Sequence, residues 1–190
     1  MISLERLFCL TSQQAISVEP RAGGRGVFSR EDAAGVIAMA QHVHPVGVKI
    51  LEAKIGGNQH SSAELKQALT SVFESRNVNP VNAKALATMA VSEVCGTKTC
   101  TSCGGVGFKD PRYACRECKG SGIANIKSVN ALAYRMSTLT NCQISDVQFS
   151  QIYYDVYMDA IDELYQHESE AAKYAASVLR LVQQEIEYEN

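Results

Sequence analysis

Cys100-Thr-Ser-Cys103-Gly-Gly-Val-Gly107 and Cys115-Arg-Glu-Cys118-Lys-Gly-Ser-Gly122 are two copies of one pattern, C-x-x-C-x-G-x-G, with eleven residues between Cys103 and Cys115. Two residues between paired cysteines let one tight turn aim both sulfurs at a single ion. The two pairs therefore offer four thiolates, the ligand set of a closed tetrahedral site. One structural Zn²⁺ per chain, held by Cys100, Cys103, Cys115 and Cys118, is the expectation. Four thiolates leave no open position for water, so the ion is expected to organise structure rather than to catalyse. A redox dithiol or an iron–sulfur centre is the alternative use of the same ligands. Gly105, Gly107, Gly120 and Gly122 permit the positive-φ turns that bring backbone N–H groups towards the sulfurs.

On both sides of this segment the apolar residues follow helical spacing, and no run alternates with period two. Upstream, Ser29 reads as the N-cap of a helix with Ala33, Val36, Ile37 and Ala40 inward. Pro45 opens a second helix that stops at Gly56-Gly57-Asn58. Ser61-Ser62-Ala63-Glu64 reads as the capping box of a third. Pro80 starts a fourth, whose Leu86, Met89, Ala90 and Val94 share a face. Downstream, Ser128 begins a short helix to about Leu139. Ser145-Asp146 caps a longer one with Phe149, Ile152, Tyr153, Val156, Ala160, Ile161 and Leu164 on its apolar face, and a last helix is expected over about 168–188. The chain reads as mainly α with one metal-bearing interruption. The expected divisions are an N-terminal segment 1–28 containing the breaker-rich Glu19–Gly26, a helical part 29–79, a zinc-containing DNA-binding region 80–140 and a C-terminal helical hairpin 141–190.

Composition narrows the function classes. At 46% hydrophobic and 20% charged, the 190 residues suit a globular chain. No apolar run approaches the roughly 18 residues of a membrane span. Glu5 and Arg6 interrupt Met1–Leu10, so no secretory signal is expected there. The seven cysteines, an odd number, are then read in a reducing cytoplasm rather than as a disulfide framework. Cys9, Cys95 and Cys142 read as small buried hydrophobes or bystanders, with Cys95 close enough to be a fifth ligand candidate, and His42, His44, His60 and His167 read as surface residues. A glycine-rich phosphate loop, an H-E-x-x-H run and a nucleophile–base pair are all missing, so no enzyme is expected.

Charge is unevenly spread. Residues 84–135 carry eight basic and three acidic side chains, a balance of +5, whereas residues 136–190 carry two basic and ten acidic, a balance of −8. The basic part suits a polyanion and the acidic part avoids one, unless the asymmetry belongs only to solvated faces. On the helix after the cysteines, Val129, Leu132, Ala133, Met136 and Leu139 are expected inward. Lys127, Ser128, Asn130, Ala131, Tyr134 and Arg135 lie on the other side. Asn130 and Arg135 suit base edges, and Lys127, Ser128 and Tyr134 suit phosphates. Lys109, Arg112, Arg116 and Lys119 add positive charge from the cysteine module itself. Together these residues read as the second member of a helix-turn-helix whose connection carries the zinc module, entering double-stranded DNA. An ordinary amphipathic helix with a wet polar face is the alternative.

The segments Asp32–Gln41, Ala85–Cys95, the paired cysteine knuckles, Ala131-Leu-Ala-Tyr-Arg135 and His167-Glu-Ser-Glu170 resemble the lambda-type late-gene antiterminator proteins called Q, over roughly residues 30–180. The resemblance implies a DNA-binding factor that acts at a phage late promoter in the bacterial host's cytoplasm. It implies loading onto RNA polymerase through the flap and sigma region 4, help from NusA, and passage of pause sites and terminators. The other cysteine-rich module with this repeat is that of DnaJ co-chaperones, which implies a chaperone or protein-binding domain. Those modules carry four repeats, and their helical domain has His-Pro-Asp, whereas His44-Pro45 is followed here by Val46.

Overall fold

The structure is a computed structural model that describes Leu4, Leu7, Phe8 and residues 30–96, 100, 102–104, 106, 108–110, 113–116, 118, 120 and 128–188. In chain order the elements are α1 (Arg30–Val43), α2 (Pro45–Ile55), α3 (Gln59–Ser75), α4 (Pro80–Cys95), β1 (Phe108–Asp110), β2 (Tyr113–Ala114), α5 (Val129–Thr140), α6 (Asp146–Gln148), a π turn (Phe149–Tyr153) and α7 (Tyr154–Tyr188). The fold is mainly helical. The chain divides into two compact units, Met1–Ala68 with Ala160–Asn190, and Leu69–Asp159. The Glu19–Gly26 stretch and Ser29 lie outside the described residues.

In the first unit, Pro45 sets the break between α1 and α2. It stands at the first turn of α2, where its missing N–H costs nothing, and it forces His44 out of helical geometry (φ −128°, ψ 63°). Leu4, Leu7, Val36, Ala40, Val48, Leu51, Ala171, Ala175 and Leu179 make the core. Small residues bring α2 and α7 close together. A Cβ on Gly47 would overlap the His167 carbonyl oxygen and lie 2.6 Å from the Ala171 Cβ. Lys54 Nζ meets Glu168 Oε1 at 2.7 Å across the same contact, and the His44 ring packs edge-on to Tyr174 at 5.6 Å. Lys49 pairs with Glu64 at 2.9 Å and holds that carboxyl below its ordinary pKa. This pair therefore contributes stability above the ordinary carboxylate pKa and loses it as pH falls through the lowered one, with a small effect because both groups are half exposed.

In the second unit α4 is buried on most of its surface, with Ala83, Leu86, Ala87, Met89, Ala90, Val91 and Val94 all inside. Asn79 caps it by accepting from the Val81 N–H at 3.0 Å. α4 packs on α5, which contributes Leu132, Ala133 and Met136. Ser137 Oγ ties the end of α5 to the next turn by accepting from the Ile144 N–H at 2.9 Å. Phe149 and Tyr157 fill the space beyond, ring edge to face at 6.2 Å.

Five expectations need correction. The cysteine segment contains a small antiparallel hairpin, β1 with β2, where no strand was expected. The third helix is capped by Asn58, whose Oδ1 accepts from the His60 and Ser61 N–H groups, so it starts two residues before Ser61. Ser61 instead donates to Glu52 Oε2 at 2.6 Å. The hairpin expected over 141–190 is one continuous helix from Tyr154 to Tyr188, since no glycine or proline interrupts it. Ile152 is exposed because the wider π turn carries it out of the apolar face. Leu139, in the last turn of α5, is also exposed.

Two glycines test the packing with opposite signs. Gly35 on α1 has nothing within 4 Å of a would-be Cβ, so Gly35→Ala should stabilise the protein by about 0.5–1 kcal/mol through helix propensity alone. Gly47→Ala gains the same propensity but must push apart backbone atoms, and should destabilise by about 1–3 kcal/mol. Urea unfolding of both variants checks this; a stabilised Gly47→Ala would remove the close approach of α2 and α7.

Candidate metal centre and the adjoining helical face

The module begins where α4 ends. Gly96 leaves helical geometry (ψ 153°) while its N–H still bonds the Ser92 carbonyl. Cys100 and Cys103 follow on one turn. β1 and β2 then fold the eleven-residue spacer back on itself, with Phe108 opposite Ala114 and Asp110 opposite Tyr113, and a bulge between the two pairings. That return delivers Cys115 and Cys118 to the first pair.

All four Sγ atoms lie within 4.8 Å of one another. Cys100 Sγ stands 3.9 Å from Cys115 Sγ, and Cys103 Sγ stands 3.7 Å from Cys118 Sγ. A disulfide would need about 2.05 Å. A tetrahedral ion with metal–sulfur bonds of about 2.3 Å sets its sulfurs about 3.8 Å apart, which is the spacing these pairs have. The residues present fit a single four-coordinate metal ion. Cys100, Cys115 and Cys118 are buried, and Cys103 is partly so. Cys95 and the histidines are not in the cluster, and Cys142 is exposed.

The local chain supports the sulfurs as the repeated pattern requires. Backbone N–H groups of Ser102 and Cys103 are directed at Cys100 Sγ. Gly104 (φ +62°) and Gly120 (φ +90°) take left-handed geometry, one after each cysteine pair. In the first copy the left-handed residue is thus Gly104, directly after Cys103; Gly105, Gly107 and Gly122 lie outside the described residues. Burial pushes the Cys100 thiol up to about 11, so without an ion the site holds a proton there at neutral pH.

Beyond the module, Ser128 stands at the N-cap of α5. Ser128, Asn130, Ala131 and Tyr134 are exposed, Tyr134 to 76%, and Arg135 is partly covered. Arg116 is exposed in the turn between Cys115 and Cys118, and Lys109 belongs to β1. Lys127, Arg112 and Lys119 lie outside the described residues. The structure also singles out residues that sequence reasoning missed. Thr138 extends the Asn130–Tyr134 row by one turn, and with Asn141 and Gln143 it lines a shallow hollow of about 520 Å³ beside α5. The spacing of four residues from Asn130 to Tyr134 and from Tyr134 to Thr138 along α5 was the available signal. Phe108 and Tyr113 are exposed on the hairpin, a second feature invisible before the hairpin was known.

Purified protein should contain one metal ion per chain, and Cys103→Ser should lose it while most helical circular dichroism remains. Because the ion displaces thiol protons, its affinity should rise with pH and fall on acidification, by up to about tenfold per unit for each proton displaced. Metal analysis after dialysis at stepped pH measures this; retention of the ion by Cys103→Ser, or pH-independent retention, would contradict a four-thiolate site.

No curated protein matches the chain. The chain does match the model of a family described as conserved hypothetical protein CHP02642, over residues 1–99 and 96–184. With these two matches together spanning nearly all of its length, the chain belongs to the conserved hypothetical protein CHP02642 family.

Proposed function

We propose that this protein is a transcription antitermination factor: it binds double-stranded DNA at a phage late promoter, engages the host RNA polymerase and allows it to pass pause sites and terminators. One observation carries the reading. Two helices pack on each other, a four-cysteine module forms their connection, and the second helix turns a row of polar side chains outward. An α-helix about 10–12 Å across matches a major groove about 12 Å wide. Asn130 offers an amide to a base edge, Tyr134 a phenol to phosphate or base, and Ser128 a hydroxyl to the backbone. Arg135 on α5, and Lys127 just before it in sequence, add positive charge within a segment whose balance is +5.

Zinc is the ion that best suits four thiolates with no redox task, and its part is to fix the path of the chain between α4 and α5. Contacts to the polymerase flap, sigma region 4 and NusA belong to the same proposal through the family resemblance. The co-chaperone reading makes the opposite demand: peptide binding without DNA protection.

A footprint of the purified protein on its own phage's late promoter, with and without polymerase, tests the proposal. Protection by protein alone supports it, and peptide capture without protection contradicts it. Asn130→Ala and Arg135→Ala should each cost about 1–3 kcal/mol and relax the preference at one base pair. Lys127→Ala should weaken all sequences alike and flatten the salt dependence. Uniform loss from all three would make α5 a phosphate clamp rather than a reader.

A further inference from the structure

We infer that the outer face of the π turn and the start of α7 is a docking site for a basic amphipathic helix of a partner protein. The inference goes beyond the antitermination proposal and needs no DNA. Three features of the second unit carry it.

The first is an exposed apolar pair. Val147 is 64% and Ile152 56% exposed. Five residues apart on an α-helix, they would point about 140° away from each other. Here the Tyr154 N–H bonds the Phe149 carbonyl, five residues back, so the turn holds one residue more than an α turn. The wider turn brings Ile152 back towards the side of Val147. Asp155 and Asp159, on the first two turns of α7, are both exposed.

The second is support. The Tyr153 hydroxyl accepts from Asn82 Nδ2 at 2.8 Å, and Phe149 is fully buried, so the π turn is anchored from within and its outer side chains are held in place. A π turn anchored to a neighbouring helix presents these two apolar groups at a fixed spacing, as a partner's helix requires.

The third is charge. From Met136 to Asp159 there is no lysine or arginine, against three aspartates. Asp155 and Asp159 are exposed beyond Ile152, whereas Asp146 lines the hollow beside α5. Such a face repels phosphate and repels its own copy, and it attracts a helix with lysines and arginines flanking an apolar stripe. Apolar contact supplies the affinity and the acids choose the partner's sign.

The probe is a fluorescein-labelled 18-residue peptide with leucines at helical spacing and lysines elsewhere, beside a peptide of identical composition in scrambled order. The full-length protein should bind the patterned peptide at least tenfold more tightly than the scrambled one. The double variant Val147→Ser/Ile152→Ser should remove that preference with unchanged circular dichroism, and Asp155→Lys/Asp159→Lys should weaken both peptides. Amide shifts on titration should centre on 146–159. Equal affinity for the two peptides, shifts centred elsewhere, or a dimer of the protein that the serine variant dissolves would each overturn the inference. So would loss of DNA protection in the serine variant, since the face would then belong to DNA; a DNA footprint absent in both forms would instead count against the antitermination proposal alone.

Discussion

Everything between α4 and α5 depends on four sulfurs meeting within one tetrahedron's reach. Among the described residues the module's buried cluster consists of cysteines, with Cys100, Cys115 and Cys118 inside and Cys103 packed against them. Two short strands and two turns cannot repay the entropy of ordering that chain, and the binding free energy of an ion held by the four sulfurs would stand in for a core. The hairpin and the two left-handed glycines all serve the same end. They return the chain so that Cys115 and Cys118 close the site that Cys100 and Cys103 open. α4 packs on α5, whose first turn leaves Ser128 and Asn130 exposed.

The helical parts rest on a different economy. Small residues set the close contacts: Gly47 against the backbone at His167, Ala171 and Ala175 in the first core, and four alanines along α4 in the second unit. Such contacts bring backbones near without long side chains, and so leave little room for repacking. Where the helix must turn a different face to the core, the chain inserts a residue rather than a break. The π turn at Phe149–Tyr153 keeps Phe149 and Tyr157 buried while it moves Ile152 outward.

Much of this was legible in the residues, and the failures have physical causes. The four ligands could be read because tetrahedral thiolate chemistry demands paired cysteines at tight spacing. Pro45 and Pro80 marked helix starts because proline fits only the first turn. The cap of α3 was misplaced because Asn58 both ends one helix and starts the next. Its N–H bonds the Glu52 carbonyl while its side chain caps α3. The hairpin was unreadable because Phe108–Asp110 and Tyr113–Ala114 are too short to show alternation. Helical periodicity assumes 3.6 residues per turn, so a π turn shifts every later position and hides itself in the pattern. The break expected before 168 reflected only a run of polar residues, which an exposed helix carries without strain.

The central claim is that one ion, held by four thiolates, organises the connection between the two packed helices. X-ray absorption spectroscopy at the zinc edge of the purified protein tests it most directly. The account predicts four sulfur scatterers at about 2.3 Å with no nitrogen or oxygen in the first shell. A mixed shell containing histidine or water, or short metal–metal scattering, would contradict it.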